Sequence, residues 1–160
     1  MANPSTTARS TPVGIPYHDP FPTTIAFSLD PDISFWEEAI TPPGLDGGEP
    51  IDQTNMHNTL WRTKRSRALI DLTEFTMTVS YDERVYSQIQ TIINDDSGSV
   101  TIHFPDLATL DFWGYLRIFQ PNENAEGGEQ PQATITVTPT NWDVANAVEA
   151  GPVLTAAPNT

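Results

Sequence analysis

The sequence predicts a mainly β fold with one α-helix, and three observations carry that prediction. Thr occurs 21 times against three Met, beside abundant Val, Ile, Phe and Tyr, and these are residue types that suit strands. Several segments between 68 and 139 alternate apolar and polar residues at period two. One stretch, DERVYSQIQTII at 82–93, instead spaces its apolar residues at helical intervals.

The elements follow in chain order. Nine of the fifteen prolines fall in the first fifty residues, and none lies between Ile51 and Phe104. This predicts a Pro-rich extended arm over 1–22, a β domain over 23–142 and a flexible tail over 143–160. TTIAFSL (23–29) and ISFWEEAI (33–40) are short strand candidates around the turn Asp30-Pro31-Asp32. TPPGLDGGEP (41–50) packs three prolines and three glycines into ten residues, so 41–67 is expected to be a projecting loop. From Ala68 to Tyr81, Phe75, Met77, Val79 and Tyr81 share one face and Glu74, Thr76, Thr78 and Ser80 the other, as in a half-buried strand. In the helix candidate, Val85, Ile89, Ile92 and Ile93 form the apolar stripe, and Asp82 and Glu83 suit its N-terminus. SVTIHF (99–104) and TLDFWGYLRIF (109–119) predict a hairpin turning at 105–108. QATITVTP (132–139) sets Ala133, Ile135 and Val137 against Thr134, Thr136 and Thr138.

Charge limits the function. Seven Lys and Arg stand against 21 Asp and Glu, a formal net charge of −14 over 160 residues. Such a surface repels polyanions and disfavours gripping DNA through its phosphates. Four of the seven basic residues, Arg62, Lys64, Arg65 and Arg67, nevertheless crowd into WRTKRSR at 61–67. Cys is absent, which excludes disulfides and thiolate chemistry. The N-terminus has no apolar core of a signal peptide, and no run of about 18 apolar residues predicts a membrane span.

The predicted strands share an aliphatic or aromatic inner face and an outer face made largely of threonine. Lysine, the usual guard of exposed strand edges, occurs once in the chain. The edges are therefore expected to be covered by loops or paired with another subunit.

No catalytic signature is present: GxSxG, HExxH, a Walker loop and GxGxxG are all missing. His18, His57 and His103 lie on three separate segments and do not predict a metal site. Asn94-Asp95-Asp96-Ser97 lacks the spacing and closing Glu of a calcium loop and reads as a helix-ending turn. Asp106 and Asp111 beside Trp113 and Tyr115 imitate a glycosidase or sugar-binding site, which keeps a carbohydrate-binding or adhesin module as an alternative from another class.

Three stretches, GLDGGEPIDQTNMHNTLWRTKRSRALIDLTEFTMTVSYDERVYSQI (44–89), VTIHFPDLATLDFWGYLRIFQPNE (100–123) and GEQPQATITVTPTN (128–141), resemble the major tail (tail tube) proteins of long-tailed bacteriophages. The resemblance spans roughly 23–142. Its most specific parts are Gly-Gly-x-Pro-Ile-Asp-x-Thr-x-Met, Tyr81-Asp82 before the helix, Phe112-Trp113-Gly114-Tyr115 and the closing Thr-Ile-Thr-Val-Thr-Pro-Thr. The longer acidic loop at 122–130 and the Pro-rich N-terminus depart from the family pattern.

The resemblance implies a tail-tube-like β-sandwich or barrel subunit that lends four strands to a hexameric ring barrel of 24 strands, with the helix outside. Strands about 4.8 Å apart and tilted by roughly 40° would give such a ring a bore of roughly 38 Å, wide enough for duplex DNA about 20 Å across. It implies stacked rings forming a conduit for DNA ejection in a phage tail, made in the host cytoplasm and needing no cofactor. Implied partners are copies of the chain itself, a tape measure protein inside the lumen, a tail terminator and distal tail or baseplate proteins, with DNA passing without tight binding. A tail terminator or head–tail joining ring protein is the alternative within that class.

On this reading Glu74, Thr76, Thr78, Ser80, Thr101, His103, Asp111, Thr134, Thr136 and Thr138 are the candidate lumen-lining residues. Arg117 shares their parity and calls for neutralisation by Asp111 or Glu74. Trp61, Arg62, Lys64, Arg65 and Arg67 are the candidate interface, with Glu37, Glu38, Asp82 and Glu83 as acidic counterparts across a subunit contact; Asp95-Asp96 offers a further acidic pair.

Overall fold

Period-two segments build the fold, and a computed structural model describes residues 23–28, 36–80, 83–94, 98–122 and 130–157, with the backbone alone for 83–85. Its main sheet contains β1 (Thr24–Phe27), β2 (Glu37–Thr41), β7 (Phe75–Ser80), β8 (Gly98–His103), β9 (Thr109–Pro121), β10 (Gln132–Pro139) and β13 (Val153–Thr155). The order is β1-β8-β9-β10-β7-β2, with β13 also on β9, and every pairing is antiparallel.

Strand β9 is long enough to serve two layers. Its first half, up to Gly114, pairs with β8; its second half, from Gly114 to Pro121, pairs with β10. Two four-stranded layers therefore share β9: β1-β8-β9-β13 and β9-β10-β7-β2. The apolar faces meet between them. Phe75, Met77 and Val79 from β7, Val100 and Ile102 from β8, Phe112 and Leu116 from β9, and Ala133, Ile135 and Val137 from β10 are all buried. Phe75 and Phe112, on strands separated by β10, bring their ring centroids to 5.9 Å.

The helix α1 (Glu83–Ile92) adds Ile89 and Ile92 to this core. It ends at Asn94, whose φ of 56° is the left-handed conformation common just past a helix C-terminus. The Asn94 amide donates to the Leu116 carbonyl (3.0 Å), and Tyr86 packs edge-on against Phe119 with centroids 5.9 Å apart. Asp82 lies outside the described residues, as do the Pro-rich arm over 1–22, the turn at 30–32, Asp95-Asp96 and most of the acidic loop.

Three expectations are corrected. The strand expected from Ala68 begins at Phe75, because 71–72 pair elsewhere. The projecting loop expected over 41–67 is a paired ribbon: β3 (Leu45–Asp46) pairs with β6 (Asp71–Leu72), and β4 (Ile51–Asp52) with β5 (Lys64–Arg65), closed by a tip at 53–63. The segment expected to be a flexible tail forms the hairpin β11 (Trp142–Asp143) and β12 (Val148–Glu149), and β13 then pairs with Asp111, Leu110 and Thr109 of β9.

Candidate functional site

The outer face of β7 and β10 is rich in hydroxyls. The register sets Thr134 opposite Thr78, Thr136 opposite Thr76 and Gln132 opposite Ser80. Glu74, Thr76, Thr78, Ser80, Thr134, Thr136 and Thr138 thus occupy two adjacent strands and form one strip. Thr136, at its centre, is buried at 8% exposure even here. The other expected members of the set stand apart. Thr101 and His103 on β8 and Asp111 on the first half of β9 belong to the second layer, where Thr101 donates its hydroxyl to Asp111. Because the core lies between the layers, the two strips face away from each other.

A bulge adjusts the threonine strip. On β10, Thr136 and Val137 are consecutive, but their partners on β9 are Ile118 and Leu116, so Arg117 is the extra residue. Core parity changes across it: Phe112 and Leu116 point inward before the bulge, whereas Phe119 packs against the core after it. Arg117 is left on the threonine side and pairs with Glu74 (Nη2 to Oε1, 2.5 Å). The neutralisation expected of Asp111 or Glu74 falls to Glu74.

The sheet border is not bare. A second bulge, at Glu38, aims Glu37 toward β1, and the Glu37 carboxylate accepts the Ile25 amide at 3.1 Å. The outermost strands β1 and β2 are thereby brought within side-chain reach. Glu38 accepts from Ser80 Oγ (2.6 Å) and from the Gln132 side-chain amide. Both acids expected to face the basic cluster already have partners in their own chain. Glu83 opens α1, and its side chain is not among the described ones.

The ribbon over 44–71 is exposed at every residue except Asn58. It nonetheless has internal order. Gly48, at φ 73°, closes a turn in which its amide bonds Asp46 Oδ1 (2.8 Å). Arg67 Nε donates to the Glu49 carbonyl (2.7 Å). At the tip, Asn58 donates to the Trp61 carbonyl (3.0 Å) and Thr63 Oγ1 (2.7 Å), while Thr54 Oγ1 accepts from the Thr63 amide (3.1 Å). Hydrogen bonds from the Thr54 hydroxyl and amide, helped by Arg62 and Lys64, hold Asp52 below the usual aspartate range.

This ordered ribbon, exposed almost throughout 44–71, carries large apolar side chains: Met56 is 102%, Leu60 84% and Trp61 82% exposed. Leu69 and Ile70 near its base are exposed as well. Monomeric soluble surfaces rarely expose such residues in continuous groups. Leu60 stands beside Trp61 in the basic segment singled out from sequence, whereas Met56, Leu69 and Ile70 were not singled out; their signal was the presence of large apolar residues in a segment expected to project.

Both carboxylates of the sugar-site imitation are already engaged. Asp106 accepts the Ala108 amide (3.0 Å) in the β8–β9 turn, Asp111 takes the Thr101 hydroxyl, and Trp113 and Tyr115 are half-buried. His57 at the ribbon tip and His103 on β8 are not brought together, and among the described residues no His, Cys, Asp and Glu cluster could hold a metal ion.

The fold is similar to three chains from solved particles. A chain of the anti-feeding prophage baseplate, 6-fold symmetrised, superposes with a TM-score of 0.60 at 7% identity, covering 84% of this chain and 91% of that one. The fold is that of a tail-tube-like β subunit. A chain from an extracellular contractile injection system, in the PVC sheath/tube terminator in its extended state, gives 0.59 at 10% identity over 89% of this chain and 100% of that one. A chain from the tail of an empty GTA particle with C6 symmetry gives 0.53 at 10% identity over 83% and 95%. No family model and no curated protein matches the sequence.

Proposed function

We propose that this tail-tube-like chain is a structural, non-enzymatic tail protein whose copies form six-membered rings that stack into a tube for DNA passage. The observation that carries the reading is the ordered but unburied ribbon, whose apolar residues need a partner surface. Support also comes from the layer β9-β10-β7-β2. Its four strands are the number that six copies need for a 24-stranded ring, and beyond Gly114 the side of β9 away from β10 has no strand partner among the described residues. Two of the similar chains come from particles described with six-fold symmetry.

In this arrangement the lumen wall is the strip Glu74, Thr76, Thr78, Ser80, Thr134, Thr136 and Thr138. Hydroxyls keep a passing polyanion wetted without holding it, and the Arg117–Glu74 pair removes the one cation that would grip phosphate. Thr101, His103 and Asp111 lie on the other layer and are left out of the wall. The ribbon carries Trp61, Arg62, Lys64, Arg65 and Arg67 to a neighbouring copy, and the tape measure, terminator and baseplate proteins are the further partners such a tube requires.

A tail terminator is the second reading, favoured by the similarity to the terminator-state chain. Electron microscopy of the purified protein separates the two. Tubes of unlimited length support the tube protein, and single rings support the terminator. A chain that stays monomeric at high concentration overturns both. Arg62→Glu with Arg65→Glu is expected to leave the protomer folded and abolish tubes.

A further inference from the structure

The ribbon differs electrically between its root and its outer part. At the root Asp46 and Asp71 stand opposite each other in register. Asn141 Nδ2 donates to Asp71 Oδ1 (2.8 Å), which sets the hairpin β11–β12 beside the root. That hairpin adds Asp143 and Glu149 and presents Trp142, Val144 and Val148 to solvent. Its turn is fixed: Asp143 accepts the Ala145 and Asn146 amides (2.9 and 3.1 Å) and Asn146 Nδ2 (2.7 Å). Farther out, Arg62, Lys64 and Arg65 accompany Met56, Leu60 and Trp61, and none of these cations has an ion pair among the described residues.

We propose that the outer ribbon of one copy docks on the β11–β12 hairpin of a second copy, with Trp61 and Leu60 against Trp142, Val144 and Val148, and Arg62 and Lys64 facing Glu149. The inference rests on the assembly reading above and names its acceptor. Charge complementarity carries it, since the ribbon is basic where the hairpin is acidic and each side bears exposed apolar residues. Glu37 and Glu38, the acceptors expected from sequence, are held within their own chain. A paired ribbon cannot double back on its own root. In its own chain the tip meets no covering surface: Met56, Leu60 and Trp61 stay 102%, 84% and 82% exposed. The contact joins two different surfaces, so it extends head to tail. Apolar burial supplies the affinity and charge sets the register.

The chain has no cysteine, which makes cross-linking selective. A Trp61→Cys chain and a Val148→Cys chain, mixed under oxidising conditions, are expected to give a disulfide-linked dimer that neither chain gives alone. Glu149→Lys is expected to raise the concentration needed for half-assembly about five-fold or more, and Arg62→Glu in the same chain to restore it. Normal particles from Glu149→Lys, with no mixed dimer, overturn the acceptor while leaving the assembly reading intact. A parent chain that never assembles overturns both.

Discussion

Arg117 and Glu74 meet at 2.5 Å across strand β10, with Thr138 Oγ1 3.5 Å from the same Glu74 oxygen. The pair joins a bulge residue of β9 to the residue preceding β7, and both side chains keep 40 to 47% of their surface. An exposed pair of this kind contributes under about 1 kcal/mol. Glu74→Gln is therefore expected to leave the melting temperature within a few degrees of the parent, because its main effect is on charge. With Arg117 uncompensated, assembled protein should retain duplex DNA at low salt and release it as salt rises. Equal DNA retention by parent and variant would remove the pair's role in the proposed wall.

Gly114 marks where β9 passes from one layer to the other, paired with both Gly98 and Pro139. A Cβ there would meet the Thr138 carbonyl at 2.9 Å and Val137 Cγ1 at 3.1 Å. The first obstacle is backbone and cannot rotate away. Gly114→Ala is expected to destabilise the fold by about 1–3 kcal/mol, read as a lower denaturation midpoint in urea.

Glu37 supplies the acceptor for the Ile25 amide on the outer side of β1. Glu37→Ala leaves that amide without this partner and bares a strand border with no lysine on it. The expected outcome is a loss of about 1 kcal/mol and faster aggregation by light scattering. Glu37→Gln keeps an oxygen acceptor and should restore most of both.

Acid should loosen the ribbon tip before the core. The Asp52 carboxyl is held below its ordinary range chiefly by the Thr54 hydroxyl. A depressed folded-state value means the stabilisation is complete above the unfolded aspartate value, about 3.9, and is lost as pH falls through the lower folded one. The Thr54 amide resonance should shift in that window while those of β7 and β10 stay in place. Asp52→Asn should abolish the titration.

Strand parity was legible wherever a strand is half-buried over its whole length. Phe75, Met77 and Val79 alternate with threonines because one face meets the core, and β8 and β10 follow the same rule. The bulge at Arg117 was not legible, since an extra residue is defined only by its partner, and the pairing with Thr136 and Val137 lies about twenty residues away. The ribbon was hidden for a related reason. Its strands of two residues are too short to show a period, and except at Leu72 of β6 their solvent exposure on both sides removes the alternation that burial imposes. At the candidate site, the basic cluster was visible from composition, whereas the division of the threonine face into two strips depends on β9 serving both layers. The C-terminal strand β13 escaped because Val153 and Leu154 remain exposed and its pairing rests on backbone bonds to β9.

The extra residue at 117 also sets how this strand can change over time. Deleting Arg117 would close the bulge and straighten the ladder with Ile118 still opposite Thr136 and Phe119 still opposite Ile135, so every later position of β9 keeps its side. What such a loss removes is the guanidinium: the wet and dry faces stay where they are, and Glu74 is left without the cation it meets.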